Sequence, residues 1–261
     1  MIQVQGLGKY FADETSPVGK RWVFQDVSFE VAAEHSAVLI GPSGGGKTVL
    51  LKVIASLLQA DSGSVKLRSE NIGMLFQKNA LFDSFTVEEN LLFPLKERKG
   101  IIGKNATDRA AHFLNAVGLK GTEKLYPDEI SGGMQKRLGI ARALIVEPQV
   151  ILYDEPTAGL DPITSKKIAE LIQTLRQESG STLLTVTNDV QRAYQLGDRI
   201  YLLARGKIQA GGTPSEMRNS SHPAVRQFLH GLQEGPLTTE SERSPGAGSR
   251  AGDDSGNEAA P

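Results

Sequence analysis

The stretch "SAVLIGPSGGGKT", Ser36 to Thr48, constrains this chain more than any other part of it. Ser36 to Ile40 is nearly continuous in apolar character, as a strand covered on both faces must be, and it stops at a run of glycines. Gly41 to Thr48 fills every position of G-x-x-x-x-G-K-[ST]. In such a loop glycines let backbone N–H groups turn inward around phosphate oxygens without side-chain clash, and the next helix adds its positive N-terminal end. Lys47 is then placed to reach β and γ phosphates, and Thr48 to set its hydroxyl on Mg²⁺. A mere glycine linker would not be bracketed by a strand and by the helical pattern "TVLLKVIASLL".

Three further apolar runs, "VILY" (Val150 to Tyr153), "TLLTV" (Thr182 to Val186) and "RIYLLA" (Arg199 to Ala204), read as strands. Between the first two, Ile168, Leu171, Ile172 and Leu175 recur at helical spacing with one buried stripe. Strands alternating with helices predict an α/β layer architecture around a mostly parallel sheet. The N-terminal pieces "IQVQGL" and "RWVFQDVSFEV" alternate in polarity instead and predict an antiparallel subsheet. Residues from about 86 to 143 hold no convincing strand and are expected to form an inserted helical subdomain. A helical extension is expected over about 213–237.

Of the 261 residues, 39% are hydrophobic, enough for a substantial core. The formal charge of -1 offers no global field that would gather nucleic acid, so none is expected as a partner. With no cysteine, disulfides, thiolate zinc sites and cysteine nucleophiles are excluded. The start "MIQVQGLGKYF" lacks the pattern of a secretory leader, and no window approaches eighteen consecutive apolar residues, so a soluble, cytoplasmic chain is expected. After Leu237 the composition changes: "TTESERSPGAGSRAGDDSGNEAAP" has no aromatic or branched aliphatic residue, and 238–261 is expected to be disordered.

A second site narrows the chemistry. In "VILYDEPTAGLD" the strand runs into Asp154 and Glu155, 107 residues after Lys47. Asp154 is placed to hold Mg²⁺ through its water shell, and Glu155 to polarise an attacking water. Pro156 prevents the strand from continuing. Ser131 opens "SGGMQKRLGIARAL", where Gly132 and Gly133 head a helix and make a second anion-binding N-terminus. Two anion cradles in one chain are explained if the second serves a nucleotide held mainly by another copy.

Together these residues resemble the ATPases of ABC transporters over Met1 to about Thr213. The resemblance implies a P-loop ABC cassette binding ATP and Mg²⁺, with Gly41, Ser43, Gly44, Gly45, Gly46, Lys47, Thr48 and Val49 in the Walker A loop. It implies Gln77 of "MLFQ" as the Q-loop residue, touching metal and attacking water, and "ISGGM" as the signature, with Ser131, Gly132 and Gly133. Asp154 becomes the Walker B carboxylate, Glu155 the catalytic base, and Asp161 the last residue of the D-loop. A head-to-tail dimer is implied, Ser131 and Gly133 of one copy facing the γ phosphate held by the other. Adenine stacking falls to Phe11, with Tyr10 as the alternative, although both also fit ordinary strand aromatics.

The sequence departs from that pattern in three places. Met134 stands where the signature usually has Gln, and the link between "GSVKL" and "NIGMLFQ" is short. Asn188, followed by Asp189, occupies the switch-histidine position. Asn is also a strong helix N-cap, and Gln191 stands where a capping-box partner would. We read Asn188 as a γ-phosphate contact, with capping as a compatible second role. Its amide can donate to an oxygen but is neutral and exchanges no proton near neutral pH, so hydrolysis is expected to be slowed rather than lost.

More narrowly, "MLFQKNALFDSFTVEENLLFPL", "ISGGM", "DEPTAGLDPIT" and "HPAVRQFLHGLQEGPL" resemble the ATPases of Mla-type, MCE-associated phospholipid transporters. This implies an integral membrane permease docking near Gln77 and the helical insert, an MCE-domain lipid-binding partner, a STAS-domain protein, and a place on the cytoplasmic face of the inner membrane. The helix pattern in "AVRQFLHGL" fits packing on its own core and a dimer interface equally well. "KERKGIIGK", Lys96 to Lys104, reads as a solvated loop, with lipid headgroups or a partner as the alternative. A soluble ABC ATPase acting on nucleic acid would carry tandem cassettes or a basic patch, and neither is visible.

Overall fold

The computed structural model describes residues 1–15, 19–76 and 80–238. The first half holds β1 (Ile2–Ala12), β2 (Lys20–Val31), β3 (Ser36–Ile40), α1 (Lys47–Ile54), β4 (Ser62–Leu67) and β5 (Ile72–Leu75). Three helices follow, α2 (Val87–Lys99), α3 (Lys104–Ala116) and α4 (Gly132–Leu144). Then come β6 (Val150–Asp154), α5 (Pro162–Ser179), β7 (Thr182–Thr187) and α6 (Val190–Leu196). The chain continues through β8 (Arg199–Ala204), β9 (Lys207–Gly212), α7 (Pro214–Arg218) and α8 (Pro223–His230).

Two sheets form. The smaller, in the order β2-β1-β4, is antiparallel, as the alternating polarity of its strands predicts. The larger runs β5-β6-β7-β3-β8-β9 and is parallel except for β9, which returns antiparallel beside β8. The four apolar runs are therefore β3, β6, β7 and β8. β9, "KIQAGG", escaped prediction because it is polar and glycine-rich; its pairing with β8 supplies what its own residues do not.

Every residue of β3, β6 and β7 is buried, since each strand is covered on both faces. Alternation sorts their side chains into two cores. Val38, Ile40, Ile151 and Tyr153 join Leu91, Leu114, Ile140 and Ile168 under the helices. Ala37, Leu39, Val150 and Leu152 join Leu7, Phe24, Leu50 and Ile54 between the sheets and α1. At about 25 cal/mol per Å² of apolar surface removed from water, this double burial dominates the stabilisation.

Helices α2 to α4 occupy the segment expected to be helical. α2 begins with a capping box, in which Thr86 accepts from the Glu89 N–H and the Glu89 carboxylate accepts from the Thr86 N–H. At the far end, Thr238 is not part of an unstructured tail. Its hydroxyl accepts from the Gln227 side chain at 3.0 Å, because the turn after α8 folds back on buried Gln227. The rest of the expected disordered segment, 239–261, lies outside the described residues.

Candidate active site

The phosphate loop, the Asp154–Glu155 pair and Asn188 follow the carboxyl ends of three adjacent strands, β3, β6 and β7. In register, Ile40 pairs with Thr187 and Asp154 with Val186, so the three chain segments leave the sheet side by side. Ligands of open α/β sheets bind at such an edge.

Two glycines of the loop are required by geometry. Gly41 has φ +156°, and a Cβ there would lie 2.0 Å from the carbonyl oxygen of Leu203. Gly46, at φ +89°, is the N-cap of α1, and its Cβ would lie 2.7 Å from Val23 Cγ1. Lys47 folds back over the loop, donating to the carbonyls of Gly41 (2.8 Å) and Pro42 (3.1 Å). Burial lowers the pKa of this lysine, while Glu155 and Asp154 act to raise it.

Thr48 Oγ1 donates to Asp154 Oδ1 at 3.0 Å. The two groups assigned to Mg²⁺ thus meet across the sheet edge, a hydroxyl and a carboxylate, both hard oxygen donors. A site this sparse suits Mg²⁺, which keeps several waters and takes its remaining ligands from phosphates. Burial raises the Asp154 pKa; the Thr48 hydrogen bond and the charges of Lys52, Lys47 and Lys136 oppose it.

Glu155 has a left-handed backbone, φ +49°, rare for a non-glycine residue and common at strained functional positions. Its N–H donates to the Val186 carbonyl at 2.9 Å. Its carboxylate accepts from Thr187 Oγ1 at 2.8 Å and from the Asn188 N–H at 2.9 Å. Burial raises its pKa, while the Thr187 bond, Lys47 and the Asn188 N–H pull it down.

Asn188 is exposed, and it does not cap α6. The cap is Asp189, whose carboxylate accepts from the Arg192 N–H at 3.0 Å. The expected capping role is therefore corrected: β7 continues through Thr187, the helix begins only at Val190, and Gln191 is no capping-box partner.

Ser131 caps α4, accepting from the Met134 N–H at 3.3 Å. Ser131, Gly132 and Gly133 line a cleft of about 740 Å³ together with Leu160, Asp161 and Thr164. Asp161 is itself the N-cap of α5, accepting from the N–H groups of Ile163 and Thr164. Ser43, Gly44 and Gly45 line a different cleft, of about 530 Å³, with Trp22 and Arg205. Within one chain the two anion cradles therefore open into separate clefts.

Phe11 is exposed at the end of β1, whereas Tyr10 packs edge-on against Trp22 at 5.2 Å. Trp22, which sequence reasoning passed over, borders the phosphate-loop cleft; being the only tryptophan and sitting on an amphipathic strand were the available signals. Lys136 was missed as well. It is buried on α4, where burial lowers its pKa and the charges of Asp154 and Glu155 act to raise it, though its spacing within the helix pattern marks only a polar position. Val49 is half-buried in the first turn of α1. Gln77 lies outside the described residues.

Comparison with known proteins agrees with this geometry. The family model described as "ABC transporter" matches residues 24–158. The probable ribonucleotide transport ATP-binding protein mkl of Mycobacterium leprae is 37% identical over 257 residues, covering 93% of this chain and 72% of that protein. The intermembrane phospholipid transport system ATP-binding protein MlaF of Escherichia coli is 36% identical over 234 residues, covering 84% of this chain and 87% of that protein. Among solved structures, the dimeric post-hydrolysis ATP-binding cassette MJ0796 with ADP and Pi superposes with a TM-score of 0.74 at 29% identity. That match covers 82% of this chain and 99% of the other.

Proposed function

Because the chain belongs to the ABC transporter family, by its match over residues 24–158 and its relatives at 36–37% identity, we propose that it is the ATP-hydrolysing subunit that drives a membrane permease. The observation that carries this reading is the convergence of Thr48, Asp154 and Glu155 with the phosphate loop at one sheet edge. The loop N–H groups and α1 hold the phosphates, and Lys47 exchanges its two carbonyl partners for β and γ oxygens. Thr48 and Asp154 hold Mg²⁺, which when bound screens phosphate charge and polarises the terminal phosphoryl group. Glu155 accepts a proton from the attacking water. Its burial, which raises the carboxyl's basicity, suits that role.

Ser131 and Gly133 complete the site of a second copy in a head-to-tail dimer. The separate clefts of the two cradles support this, as does the likeness to a cassette solved as a dimer. An apolar cleft of about 330 Å³ between α2 and α3, lined by Phe85, Leu92, Phe93, Ile101 and Ile102, supports permease docking on the helical insert. No helix among the described residues is long and apolar enough to cross a membrane, which fits a subunit held at the cytoplasmic face by that permease.

For cargo we favour phospholipid moved between membranes, with MCE-domain and STAS-domain partners. The relative named for phospholipid transport and the quoted motifs around Met134 and the closing helix support it, against the ribonucleotide in the name of the other relative. Phospholipid bound to the complex purified from native membranes tests the assignment; a complex that carries no phospholipid and does not move it between membranes refutes it. Asn188 favours a second reading, a cassette with slow turnover that regulates by binding ATP. Phosphate release by the native chain, absent in Glu155→Gln, separates the two. Asn188→His is expected to raise turnover, and a slower or unchanged variant would count against a γ-phosphate role for Asn188.

A further inference from the structure

We infer that Thr187 is a positioning residue for hydrolysis, its hydroxyl locking the Glu155 carboxylate against the end of β7. The inference rests on Glu155 acting as the base, and it assigns to a neighbour the task of holding that base still. Thr187 is 1% exposed and stands in register with Ile40, the residue before the phosphate loop. It therefore sits between the base and the loop.

The direction of its hydrogen bonds follows from chemistry. The Asp189 N–H can only donate, and it lies 3.1 Å from Thr187 Oγ1. The single hydroxyl proton is therefore free to go to Glu155 Oε2, 2.8 Å away. One side chain thus accepts from the cap of α6 and donates to the base. Threonine is also stiff at χ1, so a hydroxyl tied at both sides has one rotamer to occupy. The chain of contacts goes on through the Asp189 carboxylate, which accepts from the Arg192 N–H at 3.0 Å and lies 3.7 Å from its guanidinium.

Glu155 has three ties to β7 and the residue after it, and two of them use backbone N–H donors that do not depend on the side chain at 187: its own N–H to Val186 and the Asn188 N–H to Oε1. The Thr187 hydroxyl is the side-chain tie among the three. Glu155 follows β6 with a left-handed backbone and its carboxylate meets the end of β7 at Thr187, so this bond helps decide where the carboxylate rests. The Asn188 bond uses only backbone, so Asn188→His leaves it intact. The two residues have separable roles, one toward phosphate and one toward the base.

The test compares the native full chain with Thr187→Val, which keeps the shape, Thr187→Ser, which keeps the hydroxyl, and Glu155→Gln. Thr187→Val is expected to lower kcat by about 10- to 100-fold, the scale of a misplaced catalytic group, with KM for ATP within about twofold. Thr187→Ser is expected to recover to within about threefold of native. A kcat for Thr187→Val within about twofold of native, an equal loss in ATP affinity and kcat, or failure of Ser to rescue would overturn the inference. If native and Glu155→Gln chains released phosphate equally, the reading of Glu155 would fall instead. Crystal structures decide independently of turnover: in Thr187→Val the Glu155 carboxylate should rotate about its remaining Asn188 N–H bond or occupy a second rotamer while the backbone bond to Val186 persists, and an unmoved carboxylate overturns the proposal.

Discussion

Replacing Asn90 with leucine tests how the helical insert is held together. Asn90 is wholly buried in α2. Its Oδ1 accepts from the Phe82 N–H at 3.0 Å, and its Nδ2 faces the carbonyls of Phe82 (3.1 Å), Phe85 (3.1 Å) and Thr86 (3.0 Å). Two amide hydrogens can fully serve two of those three carbonyls, and Oδ1 accepts one bond, so the side chain makes three full bonds here. At about 1 kcal/mol net each they stabilise the segment by about 3 kcal/mol. Leucine recovers about 1 kcal/mol by apolar burial, leaving a loss of about 2 kcal/mol. For a domain of this size that lowers Tm by roughly 4–8 °C, read by scanning calorimetry. The segment also carries Phe82 and Phe85, whose rings meet Phe93 at 4.9 and 5.7 Å and whose cluster borders the apolar cleft. On the proposed docking of a permease at this cleft, permease-stimulated turnover should fall more than basal turnover. A Tm shift under about 1 °C would show that water replaces the amide at no cost and would refute the reasoning.

Two further outcomes follow from local geometry. In Gly46→Ala the new methyl meets Val23 Cγ1 at 2.7 Å on a left-handed backbone, so the loop must shift and KM for ATP should rise at least about tenfold; an unchanged KM would show that Val23 yields freely. The exposed capping carboxylates Glu89, Asp161 and Glu216 all have pKa values lowered, chiefly by hydrogen bonds from Thr86, Thr164 and Thr213. Their folded values lie below their unfolded ones, so their contribution is complete above the ordinary carboxylate range and is lost as pH falls through the lowered values. Urea midpoints of the native chain should fall from about pH 5 to pH 3 more steeply than those of Glu89→Gln/Asp161→Asn/Glu216→Gln, and parallel curves would refute the assignment.

What could be read from residues alone was whatever depends on near neighbours. A glycine run after an apolar strand turns backbone amides inward, and three nearly continuous apolar runs read as strands covered on both faces, which is how β3, β6 and β7 stand, with the run Arg199 to Ala204 as β8 beside them. The acidic pair at the end of β6 and the Ser-Gly-Gly head of α4 were legible for the same reason. Tertiary structure decided which strands lie side by side, and with them the partners of each site group. Asp189 rather than Asn188 caps α6 because β7 runs one residue further than its apolar core. The Lys136 charge acts on the carboxylates because α4 packs against β5, the neighbour of β6, and Thr187 reaches Glu155 across 32 positions of chain because β7 is inserted between β6 and β3. Periodicity and composition report how a segment meets water; they carry no record of which distant segment it will meet, since that choice is made by the packing of whole strands and helices.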